Sequence, residues 1–333
     1  MKEREPRLCC PFPFLRHVPL EAEWERVFGR LFGLLQAALR AGAHVHGGPH
    51  KPVLVVNRDT IDFGVFDAFC RFLDLKREPQ LLDRFEIVRV RAVDTCQMWI
   101  SGLDVALDGL ADDDFVLHIP GDLKDVGRGR GGEAEFDEFL QKMGELWPQL
   151  AHCDFVVGDF EAEQSSAKVL IDLHGVLPLL GNWFPEVERA LRDKRIKRPR
   201  SEFFAARANF LRKMLLRRKF AFEQTLAFLI YAMKGFERPA ERDWKVKSFD
   251  IGPLADHAAH RGVLEGINQI ERTELMLRVL WRELNASDLA FPGGGLAQFE
   301  QLDRRSTAIR EAAMIILSNS IAAMPPAARA SAD

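Results

Sequence analysis

Asp113-Asp114-Phe115-Val116-Leu117-His118-Ile119-Pro120-Gly121-Asp122-Leu123 is the stretch on which the reading of the fold turns. Phe115 to Ile119 is a short, mostly apolar run without an internal breaker, and Pro120-Gly121 ends it. Helical periodicity flanks it on both sides, which predicts a strand buried in a parallel sheet. In open α/β sheets, ligands lie outside the carboxyl ends of the strands, and that is where Asp122 falls. A carboxylate there can ligate a divalent cation, and the cation can hold a diphosphate. The plainer reading of the same residues is a strand that ends in a Pro-Gly turn followed by a solvated aspartate.

Working outward, the pattern of strand followed by helix repeats. Arg7 to Phe14 reads as a first strand leaving through Pro11 and Pro13, and Glu21 to Ala41 as an amphipathic helix with Trp24, Val27, Phe28, Leu31, Leu34, Leu35 and Ala38 on one face. Lys51 to Val56 is a second buried strand, ending in the polar turn Asn57-Arg58-Asp59-Thr60-Ile61-Asp62. A helix over Val65 to Leu75, a strand over Phe85 to Val90 and a helix over Thr95 to Leu110 lead to the central stretch. A helix over Phe136 to Leu150 and a strand over Cys153 to Phe160, again containing an acid near its end, follow it. Lys245 to Phe249 reads as a last edge strand, and two or three helices fill Leu254 to Ala323. The order implies an α/β fold with one open, mostly parallel sheet flanked by helices. It divides the chain into a catalytic domain over 1–253, a helical extension over 254–324 and a Pro/Ala/Ser-rich tail over 325–333.

The composition narrows the class. The chain has 333 residues, 47% of them hydrophobic and 29% charged, which permits a sizeable core. A net charge of −3 argues against a polyanion-binding molecule as a whole. Five scattered cysteines without a Cys-x-x-Cys pair fit a reducing compartment and no zinc cluster. No signal peptide is visible at the N-terminus, and the longest apolar runs fall short of the ~20 residues a membrane helix needs. A cytoplasmic location follows, with peripheral membrane contact left open through the arginines Arg304, Arg305 and Arg310. Three histidines in the Gly/His-rich loop 44–50 and the glycines of 127–132 read as loop features ahead of a metal or phosphate site. Between Arg189 and Lys219 there are thirteen Lys/Arg against Asp193 and Glu202 alone, a solvated face or an anion contact. Nucleic acid is disfavoured because no stacking pattern or binding motif accompanies that charge.

The pieces in this order resemble the family-2 glycosyltransferases of the GT-A fold, dolichol-phosphate mannose synthase-like enzymes among them, over roughly residues 7–250. Val55-Val56-Asn57-Arg58-Asp59-Thr60-Ile61-Asp62 is similar to the family's acid-rich, base-holding turn. Thr95 to Leu103, with Gln97, stands where the family places a helix near the sugar. Pro120-Gly121-Asp122-Leu123 stands for the metal motif Asp-x-Asp-Leu, and Phe155 to Phe160 for a Val-Val-Gly-Ser-Arg segment. Arg200-Ser201-Glu202-Phe203-Phe204-Ala205-Ala206-Arg207 is similar to a Ser-Gly-Phe-x-x-x-Arg element, and Lys219 to Glu223 to a Phe-x-Phe-Glu motif. Two departures stand out: Pro120 replaces the first metal aspartate, and Glu202 replaces a glycine.

The resemblance implies a nucleotide-sugar donor, Mg2+ or Mn2+ on Asp122, and an acceptor hydroxyl on a glycan, lipid carrier or small molecule. The expected donor contacts are Pro11, Asn57, Asp59, Asp62, Gln97 and Gly121, with Arg200 and Arg207 on the diphosphate. Glu223, set among apolar neighbours that would raise its pKa, is the expected base, with Glu202 in reserve. Self-association is also open. A non-catalytic relative in glycan assembly is a second reading. A sugar nucleotidyltransferase is a third, weakened because Cys10 to Phe14 offers no glycine-rich anion nest after the first strand.

Overall fold

The computed structural model describes residues 6–12, 21–43, 51–92, 95–121, 123–125, 137–159, 167–215, 224–234, 244–252, 254–256, 262–286 and 295–323. The chain divides into two compact units. The first takes 1–161, 201–221 and 244–257, and the second takes 162–200, 222–243 and 258–333. The boundary drawn from sequence at 253/254 therefore falls inside the first unit, and the helical unit draws on three separate segments.

The first unit is built on a seven-stranded, mostly parallel open sheet. Its strands are β1 (Pro6–Pro11), β2 (Val53–Asn57), β3 (Glu86–Val90), β4 (Phe115–His118), β6 (Phe155–Asp159), β7 (Phe204–Arg207) and β8 (Val246–Asp250). Two short strands, β5 (Leu123–Asp125) and β9 (Leu254–Asp256), form a separate antiparallel pair directly after β4 and β8 in the chain. The large sheet runs β3-β2-β1-β4-β7-β6-β8, and only β7 is antiparallel to its neighbours.

The apolar runs explain why these segments are central strands. β2 and β4 are buried at every position, whereas the edge strand β3 alternates and is partly exposed. Helices cover both faces. Cys9 and Phe12, three apart in extended chain, point to opposite sides of the sheet. Cys9 faces Gly102 of α4 (Thr95–Ala106), whose missing side chain lets Val55 approach until an added Cβ would stand 2.1 Å from its Cγ2. Phe12 packs edge-on against Phe66 and Phe69 of α3 (Val65–Leu75), with Phe69 against Phe28 of α1 (Glu21–Ala43). The residues expected to point inward from α4, namely Met98, Trp99, Leu103, Ala106 and Leu107, are all buried. The remaining helices of this unit are the short α2 (Arg58–Asp62), α5 (Asp137–Leu150) and α9 (Ala208–Leu215).

The second unit is helical. The helix α6 (Ala167–Ile171) passes through a π turn, Asp172–Val176, into α7 (Leu177–Trp183), followed by α8 (Pro185–Asp193). After α10 (Gln224–Lys234), the helices α11 (Gly262–Leu284) and α12 (Gly295–Ala323) form an antiparallel pair. Trp183, Trp281 and Phe299 meet with ring centroids 5.6–6.2 Å apart. Beside them the buried Glu274 carboxylate accepts hydrogen bonds from Ser306, Arg310 and Arg278, and Trp183 Nε1 donates to Ser306. Arg304 and Arg305 are exposed, but Arg310 is turned inward to Glu274. Among the described residues no helix is long and apolar enough to cross a membrane.

Candidate functional site

Six of the seven sheet strands run the same way, so their carboxyl ends share one edge. The chain passes from β1 to β2 to β3 on one side of β1 and then resumes on the other side with β4. That reversal makes the crevice outside the ends of β1 and β4 the switch point where α/β sheets take ligands. The parallel pairing continues past β4, because Ile119 N–H donates to the Cys9 carbonyl at 3.0 Å. On the other side Phe12 N–H donates to the Val55 carbonyl at 2.7 Å. Pro11 and the buried Gly121 are thus brought to the same edge as Asn57.

Asn57 is buried and used up locally: its Nδ2 donates to the Ala92 carbonyl and its Oδ1 accepts from Ala92 N–H, both at 3.0 Å. It shapes the edge by stitching β2 to the chain beyond β3. Asp59 is half-buried in α2, while Asp62 is exposed and pairs with Arg58 at 3.5 Å. Gln97 lies half-buried in the first turn of α4, which begins at this same edge, and its carbonyl accepts from Ser101 Oγ at 3.0 Å. Asp159 and Asp250 close β6 and β8 here as well.

The antiparallel β7 alters how the segment 200–207 is read. Its amino end meets the carboxyl end of β4, with His118 in register with Phe204, so Glu202 lies at the site edge. His118 Nδ1 donates to the Glu202 carbonyl. The carboxyl end of β7 points the other way, and Arg207 is in register with Phe115 at the amino edge. There its guanidinium donates to the carbonyls of Cys153, Asp113 and Ala151, pairs with Asp154 at 3.1 Å and lies over the Phe115 ring. The structure does not bring Arg207 together with Pro11, Asn57 and Gly121. Arg200 belongs to the helical unit, buried against Asp172 at 2.6 Å and Gln269 at 2.9 Å, with Arg198 3.7 Å from the same aspartate. Lys142 reaches the carboxyl edge to pair with Asp250 at 3.4 Å, and Arg58 and Arg91, both exposed, lie at that edge too. Composition gave no reason to single these two out. Their positions just past β2 and β3 are the signal that could have found them.

Asp122 and Glu223, the expected metal ligand and base, lie outside the described residues, as do the loops 44–50 and 127–132 and the tail 325–333. Among the described residues no three His, Cys, Asp or Glu side chains come together to hold a metal ion.

Burial sets the chemistry of two further groups. Desolvation pushes the Cys9 thiol far up, so it stays protonated and packs as a small apolar group. Desolvation lowers His118 to about 4 despite its hydrogen bond to Glu202, so the ring is neutral near pH 7. In the sequence His118 is one polar residue within an apolar strand, and a histidine inside such a run is the signal that marks it. No protein-family model matches the chain, and no curated protein matches its sequence.

Proposed function

We propose that this chain is a GT-A-type glycosyltransferase that moves a sugar from a nucleotide-diphosphate sugar to an acceptor hydroxyl with inversion. The observation that supports this most is the switch between β1 and β4. It gathers Pro11, Asn57, Asp59, Gln97, Gly121 and Glu202 on one edge of one unit. Gly121 directly precedes Asp122 in the chain. The small β5–β9 sheet follows, and the single reversed strand delivers a carboxylate-bearing residue to an edge otherwise made of strand ends.

In this reading Asp59, with Asp62 beside it, accepts hydrogen bonds from the nucleoside. Glu202 accepts the acceptor's hydroxyl proton while the new glycosidic C–O bond forms and the bond to the diphosphate oxygen breaks. The nucleoside diphosphate leaves with that electron pair. Arg58 and Arg91 are exposed cations at this edge that can face the departing charge. Asp122 remains the residue expected to hold Mg2+ or Mn2+.

The test is a thermal-shift panel of UDP-, GDP-, CMP- and dTDP-sugars with and without manganese, followed by turnover of whichever donor binds. A ligand that binds only the folded chain must raise its melting temperature. Glu202→Gln is expected to keep donor binding and lower turnover by roughly 10²–10⁴-fold. If no donor shifts the transition, the transferase reading fails. Donor binding without transfer or hydrolysis would instead identify a non-catalytic binding protein.

A further inference from the structure

His118 sits inside β4 with no solvent exposure, in a cluster with two aromatic rings. Its imidazole stacks on Phe204 with centroids 4.9 Å apart and planes 9° apart, and Trp99 packs against both rings, 5.0 Å from His118 and 5.8 Å from Phe204. A backbone carbonyl can only accept, so the hydrogen bond to the Glu202 carbonyl puts the proton on Nδ1. The other nitrogen, Nε2, is buried with no partner among the described residues, and protonating it would strand an N–H there. The neighbours of Glu202 are held by other means. Ser201 Oγ and the Phe203 backbone exchange hydrogen bonds at 3.3 Å, and Gly158 N–H donates to the Phe203 carbonyl at 2.9 Å. Glu202 itself is tied to the central strand through the imidazole.

We propose that His118 is a positioning residue: its Nδ1–H holds the main chain of Glu202 and thereby sets where that carboxylate stands beside the end of β4. This rests on the reading of Glu202 as the proton acceptor. Spanning 84 residues of sequence, the bond couples the strand that leads into Asp122 to the segment that carries the base. Such coupling matters because a reacting group displaced by about 1 Å can lose on the order of 10²-fold in rate.

The experiment compares His118→Asn, His118→Gln and His118→Leu in the full chain, using the donor that the wild type turns over. An asparagine amide nitrogen reaches about as far as Nδ1 and can donate to the same carbonyl, whereas glutamine extends toward the place of Nε2 and leucine donates nothing. His118→Asn is expected to keep kcat within a few-fold, while Gln and Leu lose about 10–100-fold in kcat with donor KM unchanged. In a His118→Leu background, Glu202→Gln should cause far less than its usual loss, since the two residues act as a unit. Equal kcat in all three variants, or equal loss in all three, overturns the positioning role. Should the leucine variant fail to fold, the comparison of Asn with Gln still decides.

Nitrogen NMR of the ring gives a readout independent of turnover, with Nδ1 expected to be protonated and Nε2 bare. The opposite tautomer overturns the hydrogen bond itself. A wild type with the expected tautomer but no turnover of any donor overturns the transferase reading, and with it the functional part of this inference, while leaving the bond in place.

Discussion

Arg207 and Asp154 meet at the amino edge of the sheet, with Nε 3.1 Å from Oδ1, and both side chains are largely withdrawn from solvent. The second oxygen of Asp154 accepts from the Lys245 N–H at 2.9 Å, so one carboxylate ties the start of β8 to the end of β7. This pair stabilises the reversed strand.

Breaking it by Arg207→Ala is expected to lower stability by about 3 kcal/mol, because the buried Asp154 charge loses its partner. Donor affinity should be unchanged once the protein is folded. Urea unfolding followed by calorimetric titration separates the two effects, and a selective loss of donor binding would return Arg207 to the site.

The Glu274 cluster makes a parallel prediction for the helical unit. Glu274→Ala removes the buried acceptor that Ser306, Arg278 and Arg310 share and should cost about 2–3 kcal/mol, since both arginines stay partly exposed and Arg278 keeps Asp303 at 2.6 Å. Ser306→Ala, which removes a neutral hydroxyl between Trp183 and Glu274, should cost only about 1–2 kcal/mol. Denaturant melts of the two variants are expected to rank in that order.

Close packing of α4 on the sheet predicts that Gly102→Ala is destabilising. The added methyl would sit 2.1 Å from Val55 Cγ2 and 3.1 Å from Cys9 Sγ, so the helix must shift. A loss of about 1–3 kcal/mol is expected. Adding Val55→Ala should recover part of it, and a neutral Gly102→Ala melt would contradict the packing.

His118 predicts how stability responds to acid. Its pKa is lowered to about 4 in the folded chain from an ordinary 6.5, so between those values the unfolded chain binds more protons. The contribution is therefore complete above pH 6.5 and is lost as pH falls toward 4, in total roughly 3 kcal/mol. Chemical denaturation at pH 7 and pH 4.5 should show a smaller drop for His118→Asn than for the wild type. Identical drops would mean that the ring titrates normally.

The sequence alone determined the parallel strands and their covering helices. Val53 to Asn57 and Phe115 to His118 are apolar runs whose burial on both faces follows from composition, and Val65–Leu75 carries an unambiguous helical period. It also placed Asn57, Asp59 and Gly121 at strand ends, where a parallel sheet must gather them. Phe204 to Arg207 is too short to declare itself, and its direction depends on pairing with β4 and β6, both distant in the chain. That non-local pairing sent Glu202 to one edge and Arg207 to the other. Arg200 likewise showed its role only when α11 supplied Gln269 beside Asp172 in a separate unit. Local propensity reports on neighbours a few residues away, whereas strand direction and buried charge pairing are set by contacts that exist only after the chain has closed on itself.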